Sequence, residues 1–342
     1  MENTKENPVA SELTGDLPVR TENIAYASEE MIACEKCRRQ NPPNRLKCLY
    51  CGAELTFTDE QSSFLKPVLR KLEAWEKGFN LIYLPSGAGA LGEPEMKEIG
   101  RMTRLEKDVL EQIFAAGKPL PVARAESEKE ARIVGQRLGE LGVETALIGD
   151  EELAADRPPT RLRGLEFSGE TLILKPFNTD APIELHREQL TLIVTGAVFE
   201  KRIEAMEKLN KKGENTLLSA TETATDEKLF DLYARTGGKT GFRVEQNGFD
   251  FSPLGAEKSL LAAENIDRLA RKLAEFAPQA RFIEDYTKLR GALGAVWEIS
   301  ERRDSKGLVR ERFGRFSLGN VTTVSNAEQF TKYSRMLNQV LK

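Results

Sequence analysis

Apolar residues recur along this chain at two spacings, one near four residues and one at two, and the switch between them divides it into segments. After Pro67, Val68, Leu69, Leu72 and Trp75 fall at helical spacing and Gly78 ends the run, which predicts a short helix. Leu81-Ile-Tyr-Leu84 reads as a strand. Leu120-Pro-Val-Ala123 predicts a second strand, and Ser127-x-x-Glu130 is a capping box opening a helix whose inner face is Ala131, Val134, Leu138 and Leu141. Gly142 closes that helix and Val143-Glu-Thr-Ala-Leu-Ile148 returns as a strand, so the segment reads as one β-α-β unit.

Past Pro158-Pro159 the period drops to two for about a hundred residues. Leu165-Glu-Phe167 turns at Ser168-Gly169 into Thr171-Leu-Ile-Leu174, and Asn178-Thr-Asp180 turns into Ile183-Glu-Leu185. Thr191-Leu-Ile-Val194 begins a longer strand, a charged linker follows around Lys211-Lys-Gly213, and Leu229 to Tyr233 runs to Gly237-Gly238, a hairpin signal. Phe242-Arg-Val244 and Phe249-Asp-Phe251 complete the strands, and Ile266, Leu269, Leu273 and Phe276 mark an amphipathic helix that ends before Pro278. The β-α-β unit resembles those of ferredoxin-like domains, and the strand meander closed by one helix resembles the pleckstrin-homology-like architecture. The second resemblance implies a binding platform for proteins or lipids with no chemistry of its own; a plain α+β sandwich fits the same order of elements.

The last part reads as helical with one insert. Phe282, Tyr286, Leu289, Leu293 and Trp297 line one helix face, and Ser325-x-x-Glu328 caps a final helix carrying Phe330, Tyr333, Leu337 and Val340. The insert between them holds six bases, Arg302, Arg303, Lys306, Arg310, Arg312 and Arg315, against two acids, with Phe313 and Phe316 interleaved. Bases among aromatic residues can hold single-stranded nucleic acid. A solvated hairpin with its phenylalanines turned inward is the plainer reading.

Composition adds constraints. A chain of 342 residues with 40% hydrophobic content can bury one or two cores. No run approaches the roughly 18 consecutive apolar residues of a membrane span, and the start lacks the pattern of a secretory signal, so the expectation is a cytoplasmic protein. Net charge is −4, which gives the whole molecule no general attraction to phosphate. Residues 1–30 carry seven acids against Lys5 and Arg20, and so polar a segment is expected to be a disordered tail.

All four cysteines lie in one short segment, and the chain has a single histidine, His186. Cys34-x-x-Cys37 and Cys48-x-x-Cys51, ten residues apart, predict two knuckles that close one four-cysteine site around one structural zinc ion. Gly52 suits the turn after the second knuckle, and Arg38 stands in the equivalent place after the first. Iron in a rubredoxin-like site is the other metal that four-sulfur geometry accepts. Residues 32–55 resemble the short zinc ribbons found at the ends of bacterial cytoplasmic and regulatory proteins. The spacing Cys37-x3-Asn41-x6-Cys48 is also similar to the Ran-binding-protein type of zinc finger, some members of which bind single-stranded RNA; that type carries a Trp where this chain has Ile32. Arg38, Arg39, Arg45 and Lys47, with Tyr50, form a candidate contact surface on this module.

Other motifs carry less. Gly87-Ala-Gly89-Ala-Leu-Gly92 after a strand has the dinucleotide spacing, but Glu93 and Pro94 follow at once, and an acid there repels phosphate; a flexible loop is the plainer reading. Gly238-Lys239-Thr240 ends like a phosphate-binding loop, yet Tyr233 stands where the leading glycine belongs and the flanking patterns are strands. His186, among charged neighbours, reads as a surface residue.

The sequence therefore predicts an α+β, multi-domain chain. Its parts are an acidic tail (1–30), a zinc ribbon (31–57), a helical linker with a Gly-rich loop (58–117), a β-α-β unit (118–157), a strand-rich domain closed by a helix (158–278) and a C-terminal helical region (279–342). With no catalytic constellation in view, the expected function is an adaptor or regulatory protein whose partner is another protein. Single-stranded RNA or DNA binding through the ribbon and 302–316 is the alternative, and a nucleotide-dependent enzyme using Gly87–Gly92 the third.

Overall fold

A computed structural model describes residues 26, 31–43, 45–57, 67–85, 91–209, 215–236, 238, 240–312 and 315–341, of which 207–209, 215–219, 308–312 and 315–318 are described by their backbone alone. The expected acidic tail, apart from Tyr26, and the core of the Gly87–Gly92 loop lie outside these residues. The chain is a mixed α+β structure of two compact units, 1–67 and 68–342.

The first unit is built on short pairings. β1 (Ile32–Ala33) runs antiparallel to β2 (Gln40–Asn41), and Lys47 bridges Glu54. Ile32, Leu55 and Asn41 are its buried non-cysteine residues of note.

In the second unit, β3 (Phe79–Tyr83) is the centre of a three-stranded sheet between β4 (Leu120–Ala125) and β5 (Thr145–Gly149), antiparallel to both. α1 (Glu93–Thr103) and α2 (Lys107–Ala115) precede β4. Pro94 in the first turn of α1 and Glu93 and Glu95 beside its N-terminus favour the start, and Met96, Ile99 and Met102 bury one face. α3 (Glu128–Glu140) crosses from β4 to β5; Ser127 accepts from the Glu130 N–H, while the Glu130 carboxylate accepts from Glu126 N–H. The β-α-β unit is thus split, with β3 inserted between its strands. The expected helix at 68–77 is absent: Leu69 donates its N–H to Met102 O across the chain, Leu69 and Leu72 are buried, and Trp75 is 81% exposed. Contacts with residues distant in the chain bury the two leucines in place of an amphipathic face of their own.

After α4 (Asp150–Leu153) comes a nine-stranded curled sheet. β6 (Thr160–Ser168), β7 (Thr171–Pro176) and β8 (Ile183–His186) form a meander, with Gly169 at φ 56° in the first turn. β9 (Leu190–Leu209) and β10 (Asn215–Ala234) form a hairpin of 20-residue strands, and β11 (Phe242–Glu245) pairs antiparallel with β10 and parallel with β6. Phe249–Phe251 is not a strand; both rings are buried in the loop that enters α5 (Ala262–Phe276). β12 (Arg281–Ile283) pairs parallel with the start of β9, and α6 (Tyr286–Gly294) follows, so the long helix face expected over 282–297 is interrupted: Phe282 lies in β12 and Trp297 beyond the helix end. The basic insert is the hairpin of β13 (Ser300–Arg312) and β14 (Arg315–Ser325), and β14 zips onto the outer half of β9. α7 (Ala327–Val340) ends the chain.

The inner halves of β9 and β10 have two buried faces. Ile193, Phe230 and Leu232 pack with α5, whose Ile266, Leu269 and Leu273 line the same core. Leu192, Val194 and Tyr233 pack with α6, α7 and the three-stranded sheet in a second core. Apolar runs at Leu190–Val194 and Leu229–Tyr233, each broken once, by Thr191 and by Asp231, are what two covered faces require.

Candidate metal centre

Two equivalent turns present the four thiols. Arg38 N–H donates to Cys34 O at 2.7 Å and Cys34 N–H to Arg39 O at 3.0 Å; in the second turn Gly52 N–H donates to Cys48 O at 3.0 Å and Cys48 N–H to Ala53 O at 2.8 Å. Closing each turn requires a left-handed residue, Arg38 at φ 59° and Gly52 at φ 69°. Glycine adopts this freely, whereas arginine is strained there.

The sulfurs converge. Cys34 and Cys51 Sγ lie 3.6 Å apart, Cys37 and Cys48 Sγ 3.5 Å apart, and all four fall within 4.8 Å of one another. A tetrahedral ion with metal–sulfur bonds of about 2.3 Å needs sulfurs about 3.8 Å apart. The donor set and its spacing therefore fit a metal ion.

Asn41, fully buried, ties the two turns together. Its Oδ1 accepts from Leu49 N–H at 2.8 Å, and its Nδ2 donates to Arg39 O at 2.9 Å and to Cys48 Sγ at 3.5 Å. Tyr50 N–H also points at Cys48 Sγ, at 3.4 Å. Burial opposes ionisation of Cys48, but the Tyr50 and Cys51 N–H groups, the Cys37 thiol and the Asn41 amide together bring its thiol down to about 6. Cys37 moves the other way: an N–H from Arg39 favours its thiolate, yet burial and the three neighbouring sulfurs push it up to about 12. Four crowded thiols without a cation cannot all ionise, and a bound cation removes that conflict. Sequence spacing flagged Asn41; its role as the polar link between knuckles needed the three-dimensional structure.

Around the sulfurs, Arg38, Arg39, Arg45 and Lys47 are exposed. Leu49 is 52% and Tyr50 55% exposed, and the Arg39 guanidinium stands 4.8 Å from the Tyr50 ring centre.

The second basic segment is different in character. Arg302 pairs with Asp304, Arg303 with Glu301 and Lys306 with Glu204, so its first three bases are answered by acids on the same sheet. Arg310, Arg312 and Arg315 sit at paired backbone positions of β13 and β14. Phe313 lies outside the described residues. In the Gly87–Gly92 segment only Leu91 and Gly92 are described, Gly92 preceding α1. His186 is half-exposed, caps a short turn by accepting from Glu188 N–H, and lies 3.4 Å from Glu170.

Two buried polar groups in the second unit have no counterpart in the sequence motifs. Asp150 accepts from Asn80 Nδ2 at 2.9 Å, from Gly78 N–H at 2.9 Å and from Arg124 at 2.7 Å, while Trp297 Nε1 donates to Asn80 Oδ1 at 2.8 Å. Burial works to raise the Asp150 carboxyl, but the Asn80 amide and the Arg124 charge hold it below its ordinary value. Asp231 and Arg243 form a second buried pair. Each group ties together segments that are far apart in the chain. Among the described residues, no helix is long and apolar enough to cross a membrane.

Comparison with protein-family models, curated proteins and solved structures found no match to this chain.

Proposed function

We propose that residues 31–57 are a zinc ribbon holding one structural Zn2+, and that the chain is a modular intracellular adaptor whose ribbon makes contact with a protein partner. The observation that carries this reading is the convergence of four thiols from two matched turns within 4.8 Å. So short a segment has almost no core, so the metal supplies its folding energy. Zinc suits the set because it takes four thiolates tetrahedrally with no redox demand on the protein.

What the folded ribbon offers a partner is exposed Leu49 and Tyr50, the latter under Arg39, with Arg38, Arg45 and Lys47 exposed on the same module. Exposed aromatic residues ringed by arginines are typical anchors of protein interfaces. The meander β6–β11 closed by α5 supports reading the larger unit as a pleckstrin-homology-like platform, the split β-α-β unit packing beside it as a ferredoxin-like element.

The stacked and exposed Arg39–Tyr50 pair favours a second reading, single-stranded nucleic acid, because such planes hold unpaired bases. Against it, acids answer Arg302, Arg303 and Lys306.

The deciding experiment captures tagged full-length protein from extract, with and without nuclease, beside the double variant Leu49→Ser/Tyr50→Ala. A defined protein recovered after nuclease and lost in the variant supports the adaptor reading. Recovery of nucleic acid, lost steeply as salt rises, replaces it with the second. Identical recoveries from both proteins refute a role for this face.

A further inference from the structure

Beyond the ribbon, and independent of it, the larger unit contains a cavity of about 570 Å³ at the start of β9. Its floor is apolar: Leu190 and Leu192 of β9 and Leu337 of α7 are buried, and Leu341 closes one side. Such a volume matches the lower part of the range for small-molecule sites, which pair an apolar lining with a few placed polar groups.

The cations on its lining are Arg235 and Arg281, with Thr191, Gln279 and Asn338 as neutral polar neighbours. Register explains why both reach the same space. Arg281 of β12 is paired with Leu192 on one side of β9, and Tyr233 of β10 is paired with Leu192 on the other. Directly paired residues share a face, so Arg281 stands on the α7 side of the sheet with Leu192 and Tyr233. Arg235 follows two residues after Tyr233, its N–H held by Gln189 O at 2.8 Å, and lines the cavity from the other side of β9.

Among the described residues, no carboxylate lies within ion-pair distance of the Arg235 or Arg281 guanidinium and neither side chain donates a hydrogen bond. The acid that borders the cavity, Glu188, is 77% exposed and makes no ion pair with either arginine. Two unspent planar cations above a buried leucine floor leave the cavity with an excess of positive charge and a large apolar wall.

We propose that this cavity binds a small amphipathic carboxylate, its head held by the forks of Arg235 and Arg281 and its hydrocarbon chain laid on Leu190, Leu192 and Leu337. The guanidinium fork matches the two oxygens of a carboxylate, and the floor rewards a tail that inorganic anions lack.

The test titrates full-length protein with decanoate below its micellar concentration, by calorimetry, alongside decanol and inorganic phosphate. Saturable one-site binding of decanoate is expected. Arg235→Gln and Arg281→Gln should each weaken it about tenfold, as loss of one charge-assisted hydrogen-bonding partner does, with decanol bound more weakly and indifferently to either change. Both arginines are exposed, so the variants should keep the wild-type melting temperature. Absence of saturable binding, equal affinity for decanoate in the double variant, or phosphate binding as tightly as decanoate would each overturn the proposal.

Discussion

Asp231 and Arg243 offer the sharpest test of how the larger unit is held together. They occupy directly paired positions on β10 and β11, on the face covered by α7. Arg243 Nε reaches Asp231 Oδ1 at 2.7 Å and its Nη2 reaches Oδ2 at 3.0 Å, with both side chains under 10% exposed. The remaining capacity of the guanidinium is met by Thr331 Oγ1 at 3.0 Å and by the Phe330 ring, whose centre is 5.2 Å away. Burial disfavours the charged arginine, and the carboxylate opposite overrides it, raising the Arg243 pKa further. Asp231→Asn keeps the shape and removes the charge, which leaves a buried cation facing one neutral amide oxygen, a hydroxyl and a π face, with an amide NH2 in place of its second acceptor. Breaking one side of such a pair costs about 3–5 kcal/mol, or roughly 6–15 °C in melting temperature for a body of this size.

Replacing both residues is a different perturbation. Asp231→Leu with Arg243→Met removes the desolvation cost together with the attraction, and should fall within about 2 kcal/mol of wild type. Thermal and urea unfolding of the full chain, followed by circular dichroism, compares the variants. If Asp231→Asn unfolds within about 1 kcal/mol of wild type, or if the double variant is as unstable as the summed singles, the burial argument is wrong.

Three further outcomes follow from the geometry. The purified chain should hold one zinc per molecule, Cys37→Ser and Cys51→Ser should each lose it, and a chelator should leave the melting of the 68–342 unit, which has its own cores, unchanged. In the knuckles, Gly52→Ala should weaken zinc binding by about 1 kcal/mol and Arg38→Gly should strengthen it by up to that amount, because both positions sit at positive φ and a Cβ at Gly52 meets nothing within 4 Å; competition against a chromophoric chelator reads both. Asp150 titrates lower in the folded state than in the unfolded, so its contribution is present above the unfolded value of about 3.9 and is lost as pH falls through the folded one. The stability gap between wild type and Asp150→Asn should therefore be constant near neutral pH and close below about pH 4; a gap independent of pH would count against the ionised pairing with Arg124.

Local chemistry was legible where it depended on neighbours in the chain. The double C-x-x-C announced four converging thiols because two tight turns separated by a short loop leave the sulfurs few other places to go. Ser127-x-x-Glu130 announced α3, and Ser168-Gly169 announced the β6–β7 turn, for the same reason. The helix expected at 68–77 failed because Leu69 is buried in the core shared with α1, by contacts distant in the chain, rather than along a face of its own. The segment 300–325 looked irregular because its alternation is polar on polar; as an outer hairpin of the sheet it needs no buried stripe, only a backbone ladder to β9.

What the amino-acid sequence alone determined is therefore the convergence of four cysteines able to hold a metal ion, the mixed α+β class and most inner strands and helices, all written in patterns a few residues long. The tertiary structure decided which strands became neighbours. Placing β3 between β4 and β5, pairing β11 with β6, and setting Arg235 and Arg281 on either side of β9 are contacts between residues far apart in the chain. Strand order and cavity walls arise from how apolar faces share two cores, and that competition among distant segments leaves no short pattern to read.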